Sequence, residues 1–240
     1  MNPIEKMVLA GKAGLSFLAL VRDPSKLDAV FDILDSLETS EAAERIVNGF
    51  ARDPRYAEAF EKRPTMGRVD FDSLLRLPEG TLGHTFATEM RARGLDPNDI
   101  QMKSDDGTAR GYVFHHLRET HDIWHTVTGF DVDVAGELGL QAVYLAQFEA
   151  QLALIILALG FLNTAFFAMG DKDRRLDAIA RGWQMGRRAE ALFGVDWAAR
   201  YATPLDQVRR ELGIEPDARP SSSPLRGSVR GDGASALDVS

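Results

Sequence analysis

No cysteine occurs in the 240 residues, which excludes a disulfide framework and any thiolate metal site and is compatible with a reducing compartment. Positive charge is in short supply: 28 Lys and Arg against 36 Asp and Glu leave a formal charge of −8. With no basic stripe to neutralise phosphates, nucleic acid is excluded as a partner. An anionic membrane surface does not attract the molecule as a whole, although local basic patches retain the ability to dock. No alternating run of β-branched residues is long enough to build a sheet, and no internal repeat is present. A signal-peptide succession is also missing, because Glu5 stands among the first residues. Ile4, Met7, Val8, Leu15, Leu18 and Leu20 instead give the N-terminus one greasy helical side, suited to core or partner packing or to a membrane surface. The expected location is cytoplasmic, with peripheral contact at the inner membrane left open.

What the chain does have is helical periodicity almost throughout. The expected helices run over about 25–37, from a Thr39 or Ser40 cap toward Arg52, over 55–62, and as a short helix or turn over 69–77. One follows over 82–93 behind Thr81 and is stopped by Gly94; Pro97 to Gly107 reads as loop. Long helices are expected over 110–128, 134–169 and 173–193, with a last one over 204–212. The fold class is therefore all-α: a single multi-helix domain over 1–215, followed by a flexible, Ser-, Gly-, Pro- and Arg-rich tail over 216–240 that has too few large apolar residues to offset the entropy of ordering.

Leu152 to Met169 is an eighteen-residue run without a charge, interrupted by Gly160, Asn163 and Thr164. A helix apolar on every side is usually enclosed by others, so a central buried helix is the expected placement. Lining a lipid groove and crossing a bilayer are the two other readings, the length being borderline for a span.

Chemistry concentrates in one stretch, RETHDIWHTVTGFDVDVAGE. At about 100° per residue, His121 and His125 lie about 40° apart on a helix and Asp122 about 60° beyond His125, so three metal-competent side chains share a face. Gly129 is a natural helix stop and Asp133 a natural N-cap, so the chain should reverse near Asp131. Six residues separate that midpoint from His125 on one side and from Glu137 on the other, which faces Glu137 toward the histidines. Two imidazoles and two carboxylates suit a divalent cation such as zinc, iron, manganese or cobalt, and do not select one of them. Without the ion, a buried Asp122–Glu137 pair would be costly. Trp124 should pack in the core. His115, His116 and His84 read as structural or supporting positions rather than ligands, and Arg118 and Glu119 as an exposed pair or an orienting pair. Gly80 and Gly83 bracket a helix N-terminus able to hold an anion.

These residues resemble the coenzyme Q (ubiquinone) biosynthesis protein 4 family, whose signature is HDxxH, eleven residues and a Glu; here His121 to His125, Thr126 to Gly136 and Glu137. The segment LPEGTLGHTF, Leu77 to Phe86, is similar to that family's LPxGTLG segment, and Arg118, Glu119 and Thr120 lead into the metal motif as in its members. The resemblance implies His121, Asp122, His125 and Glu137 as ligands and a polyprenylated, ring-carboxylated quinone precursor as substrate. It implies oxidative replacement of the carboxyl group by a hydroxyl, and association with other quinone-biosynthesis enzymes. A non-catalytic lipid-binding scaffold is the alternative; a metal-dependent hydrolase would need a free carboxylate such as Glu119 or Glu149. A homodimer is left open.

Overall fold

The computed structural model describes residues 41–96, 98, 106–148 and 150–217, and among these there are ten α-helices and no β-strand. They are α1 (Glu41–Arg52), α2 (Ala57–Lys62), α3 (Phe71–Leu74), α4 (Leu82–Arg93), α5 (Ala109–Glu119), α6 (His121–Thr128), α7 (Val134–Gln147), α8 (Gln151–Phe167), α9 (Lys172–Arg188) and α10 (Leu205–Glu211). The expected N-terminal helix, the one over 25–37, most of the 97–107 loop, Glu149 and all of the tail beyond Asp217 lie outside the described residues.

Local chemistry sets many of the boundaries. Thr81, Thr108 and Asp133 each accept an N–H of the first turn of α4, α5 and α7, and Gly94 and Gly129 leave their helices at φ 67° and 76°. Two expected long helices divide, the first at a threonine that bonds back to its own helix and the second at a tertiary contact. The helix over 110–128 divides at Thr120, whose hydroxyl donates to the His116 carbonyl at 2.6 Å. The helix over 134–169 divides at Phe148, which is extended (φ −152°, ψ 173°) and places its ring 4.5 Å from that of Phe50. Just before the break, buried Gln147 donates to the Gly186 carbonyl at 2.8 Å and accepts the Leu192 N–H at 2.9 Å, tying the end of α7 to α9 and to the segment after it.

One core gathers Leu82, Phe86 and Met90 of α4, Ile123, Trp124 and Val127 of α6, Leu140, Val143 and Tyr144 of α7, Met185 of α9, Val208 of α10 and Leu212 just after it. A second packs Ile46 and Phe50 of α1 with Tyr56, Tyr112, Val113 and Phe193. The closest helix pair is α7 with α9. A Cβ on Gly182 would collide with the Gly139 carbonyl, and one on Gly186 would lie 2.8 Å from the Val143 carbonyl, so only glycine lets the two backbones meet.

The apolar run does not become a central helix. α8 buries Ala153, Leu157, Leu159, Gly160, Asn163 and Thr164 against its neighbours, but Leu154 is 56%, Phe161 47%, Phe166 74% and Phe167 61% exposed. Hydrophobicity on every face said that the helix seeks apolar surroundings, not that the described residues supply them all. Its polar interruptions are satisfied inside: buried Arg175 donates to Asn163 at 2.6 Å and to Thr164 at 3.0 Å. Among the described residues no single helix is long and apolar enough to cross a membrane; α8 and the segment Met169–Arg188 pass that test only as a pair bent by 118°. Asp217 is pinned, its N–H donating to the Thr128 carbonyl at 2.8 Å and its carboxylate pairing with Arg181 at 3.0 Å.

Glu119 locks the end of α5. It accepts the Met66 N–H at 2.9 Å and a hydrogen bond from His116 Nδ1 at 3.0 Å, while His116 Nε2 accepts the Gly194 N–H at 3.0 Å, which fixes that ring as the Nδ1–H tautomer. Burial alone would raise the Glu119 pKa, but the hydrogen bonds from His115 and His116 outweigh it and hold the carboxyl at about 2.

Two outcomes are expected. Gly182→Ala should lower stability to denaturant by about 1–3 kcal/mol, the cost of overpacking a rigid contact, whereas Gly170→Ala, where a Cβ meets nothing within 4 Å, should change little. Because the folded pKa of Glu119 lies below its unfolded value, its contribution is complete above about pH 4.5 and fades as pH falls toward about 2. Glu119→Gln should therefore be less stable at neutral pH by about 1–3 kcal/mol and show a flatter stability profile across that acid window, as read by urea titrations at stepped pH.

Candidate metal centre

The reversal between α6 and α7 builds the site. Gly129 ends α6 in the left-handed region, and Asp133 opens α7 by accepting the Gly136 N–H at 2.8 Å. Gly136 is required there, because a Cβ would strike the backbone of Asp131. Glu137, in the first turn of α7, thereby faces the first and second turns of α6.

Three donors converge. His125 Nε2 lies 3.2 Å from Glu137 Oε1 and 3.3 Å from His121 Nε2, and His121 Nε2 lies 3.7 Å from Glu137 Oε2. One ligand atom from each of the three residues lies within 4.8 Å of the others. Asp122 is not in that cluster; it sits half-buried on α6, and its negative charge acts on both imidazoles.

Both rings are held from behind. His125 Nδ1 lies 3.0 Å from the Phe130 carbonyl, which can only accept, so Nδ1 carries the proton and Nε2 presents a lone pair to the centre. His121 Nδ1 lies 3.3 Å from the Tyr144 hydroxyl, whose ring is stacked parallel to that of His121 and, at 4.5 Å, on Trp124. Such outer partners fix the tautomer and orientation of a ligating histidine. Two lone pairs and a carboxylate packed this closely suit a divalent cation, and that is the fit the donor set provides.

The electrostatics agree. Burial pushes the His121 pKa down. Burial acts the same way on His125, but the Glu137 carboxylate and its hydrogen bond outweigh it and raise the pKa. Glu137 is held below the usual carboxylate range because His125 overcomes the effect of its burial. Burial also raises the Tyr144 phenol far above its ordinary value, so it stays a neutral hydrogen-bonding group.

Other expected site residues settle elsewhere. His115 and His116 serve Glu119, which is itself buried, 7% exposed, and neither an exposed pair with Arg118 nor free to act as a base. The α4 N-terminus does not hold an anion: the N–H groups of Leu82 and Gly83 donate to the carbonyls of Thr203 and Tyr201 at 2.8 and 2.9 Å, and that of His84 reaches the Thr81 hydroxyl. Gly83 is instead a close-approach residue, since a Cβ would sit 2.8 Å from Leu77 and 2.9 Å from Tyr201. Trp124 is in the core as expected, 1% exposed. Tyr144 was missed by sequence reasoning, although its place seven residues, two helical turns, after Glu137 puts it on the same face of α7.

Comparison with known proteins gives this geometry a family. A ubiquinone biosynthesis protein COQ4 homolog of Rattus norvegicus, named mitochondrial, is 28% identical over 218 residues, 90% of this chain and 80% of that protein. Ubiquinone biosynthesis protein COQ4, mitochondrial, of Eremothecium gossypii is 33% identical over 156 residues, 63% of this chain and just under half, 47%, of that protein. A crystal structure of a ubiquinone biosynthesis protein from Nostoc punctiforme superposes with a TM-score of 0.74 at 29% identity, covering 86% of this chain and 98% of that one. The mitochondrial names of the curated relatives overturn the cytoplasmic placement; a chain without cysteine fits any reducing compartment, so composition had no means of choosing. The sequence-family model for coenzyme Q (ubiquinone) biosynthesis protein Coq4 matches residues 1–218, and the chain belongs to that family of ubiquinone biosynthesis proteins.

Proposed function

We propose that this chain is a metal-dependent enzyme of ubiquinone biosynthesis that removes the ring carboxyl group of a polyprenylated hydroxybenzoate-type precursor and leaves a hydroxyl at the same carbon. The observation that carries the reading is the convergence of His121, His125 and Glu137, each imidazole with its Nδ1 side already engaged. His121, His125 and Glu137 would hold the ion, zinc first, with iron, manganese or cobalt as the redox-competent choices; Asp122, implied as a fourth ligand by the family signature, stands outside their cluster and acts on it through its charge. Bound there, a divalent cation would supply Lewis acidity toward a phenolic or carboxylate oxygen.

The residues themselves do the rest. Phe130 and Tyr144 orient the imidazoles, and the Trp124 and Tyr144 rings wall one side of the centre against water. Glu137 raises the His125 pKa and His125 lowers that of Glu137, so a cation bound between them would compete with a proton for the same atoms. α8 packs against α7 next to the site, Gly160 giving way to Leu138, the residue after Glu137, while its other side stays apolar and exposed. That bare face supports contact with an isoprenoid chain or lipid surface. It also favours a second reading, a non-catalytic lipid-binding scaffold that organises other quinone-biosynthesis enzymes. The names of the relatives support mitochondrial action.

Elemental analysis of protein purified without a metal-affinity tag is expected to find stoichiometric divalent metal, lost in His125→Ala. Tyr144→Phe, which removes only the hydroxyl behind His121, should weaken metal affinity about ten-fold in a competition assay. In cells lacking their own copy, Glu137→Gln should fail to restore quinone synthesis. Restored synthesis from a metal-free Glu137→Gln protein would sink the catalytic reading and leave the scaffold.

A further inference from the structure

Two arginines from different helices close on the turn that joins the metal-bearing helices. Arg93, in the last turn of α4, places Nη2 3.0 Å from Asp131 Oδ1, and its Nη1 lies 3.7 Å from Glu89, whose carboxylate accepts the Thr126 hydroxyl of α6 at 2.6 Å. Arg174, in the first turn of α9, pairs with Asp133 while its Nε and Nη2 donate to the two oxygens of Asp171 at 2.8 and 2.9 Å. Asp133 is the residue that sets Glu137: its Oδ1 caps α7, and its carbonyl accepts the Glu137 N–H at 2.8 Å. Asp131 lies with its backbone flush on Gly136.

The turn needs such neutralisation. Asp122, Asp131, Asp133 and Glu137 crowd four carboxylates into sixteen residues, and unpaired they would repel one another and compete for the same cation. We propose that Arg93 and Arg174 are positioning residues of the metal centre, holding Asp131 and Asp133 so that Glu137 faces the two imidazoles before the ion arrives. This rests on the metal reading above. It also gives α4, the helix that begins in the LPEGTLGHTF segment, a physical reason to accompany the HDxxH motif: α4 carries Glu89 to Thr126 and Arg93 to the turn.

Magnitudes separate this role from a merely structural one. The Arg93 and Arg174 side chains are 25% and 31% exposed, and pairs of that kind contribute little to global stability. Ligand placement is far more demanding, since groups behind a metal ligand affect affinity by 10–100-fold as a rough range. The full chain, stripped with chelator, is titrated with Co2+ and followed by its visible absorption and by competition, with urea denaturation of the metal-free protein alongside. Arg93→Gln and Arg174→Gln should each weaken Co2+ binding about ten-fold and alter the visible spectrum, with the urea midpoint nearly unchanged and Arg174→Lys recovering part of the affinity. Unchanged affinity and spectrum in both glutamine variants overturns the proposal. So does an affinity loss that tracks a collapse of metal-free stability and that lysine does not relieve. A wild-type chain that takes no Co2+ overturns the metal reading itself and this inference with it, a result distinguished by its appearance before any substitution.

Discussion

Everything at the centre depends on one reversal of the chain. Between Gly129 and Asp133 the backbone turns back so that a carboxylate on α7 meets two imidazoles on α6, with 3.2 Å between Glu137 and His125. Each part of the turn has a local cause: a left-handed glycine, an aspartate cap, and a glycine where the Asp131 backbone leaves no room for a side chain. The rest of the molecule holds this hairpin from outside. α4 reaches it through Glu89 and Arg93, α9 through Arg174, and the segment after α10 through Asp217, which donates to the carbonyl of Thr128 at the close of α6.

A rigid frame suits a cation better than a flexible one, because the donors are then placed before binding. The α7–α9 contact through Gly139, Gly182 and Gly186 supplies that frame on one side. The stack of His121, Tyr144 and Trp124 supplies it on the other. Between them the imidazoles have little choice of rotamer. Next to this ordered centre stands the bare side of α8, where the chain leaves Phe166 and Phe167 open. A tightly specified polar centre thus stands beside an exposed apolar surface.

Much of this was legible in the residues. Thr81, Gly94, Gly129 and Asp133 mark helix ends by chemistry that acts within a few residues, and the structure uses each as expected. The three-donor cluster was legible because it requires only helical periodicity and a symmetric turn. Glu119, Tyr144 and the α4 N-terminus were not. Glu119 is buried by Met66 and two histidines, Tyr144 is defined by the ring it stacks against, and the N–H groups of Leu82 and Gly83 are taken by Thr203 and Tyr201, more than a hundred residues away.

The residues by themselves determined the helical class, the caps and the meeting of His121, His125 and Glu137, since each follows from spacing along a single turn or helix. Only the tertiary structure decided that α8 lies at the edge with its aromatics exposed, that Phe148 breaks the long helix to reach Phe50, and that two arginines grip the turn between α6 and α7. Those outcomes depend on what distant segments bring to the same point in space, and a pattern read along one strand of sequence carries no record of that.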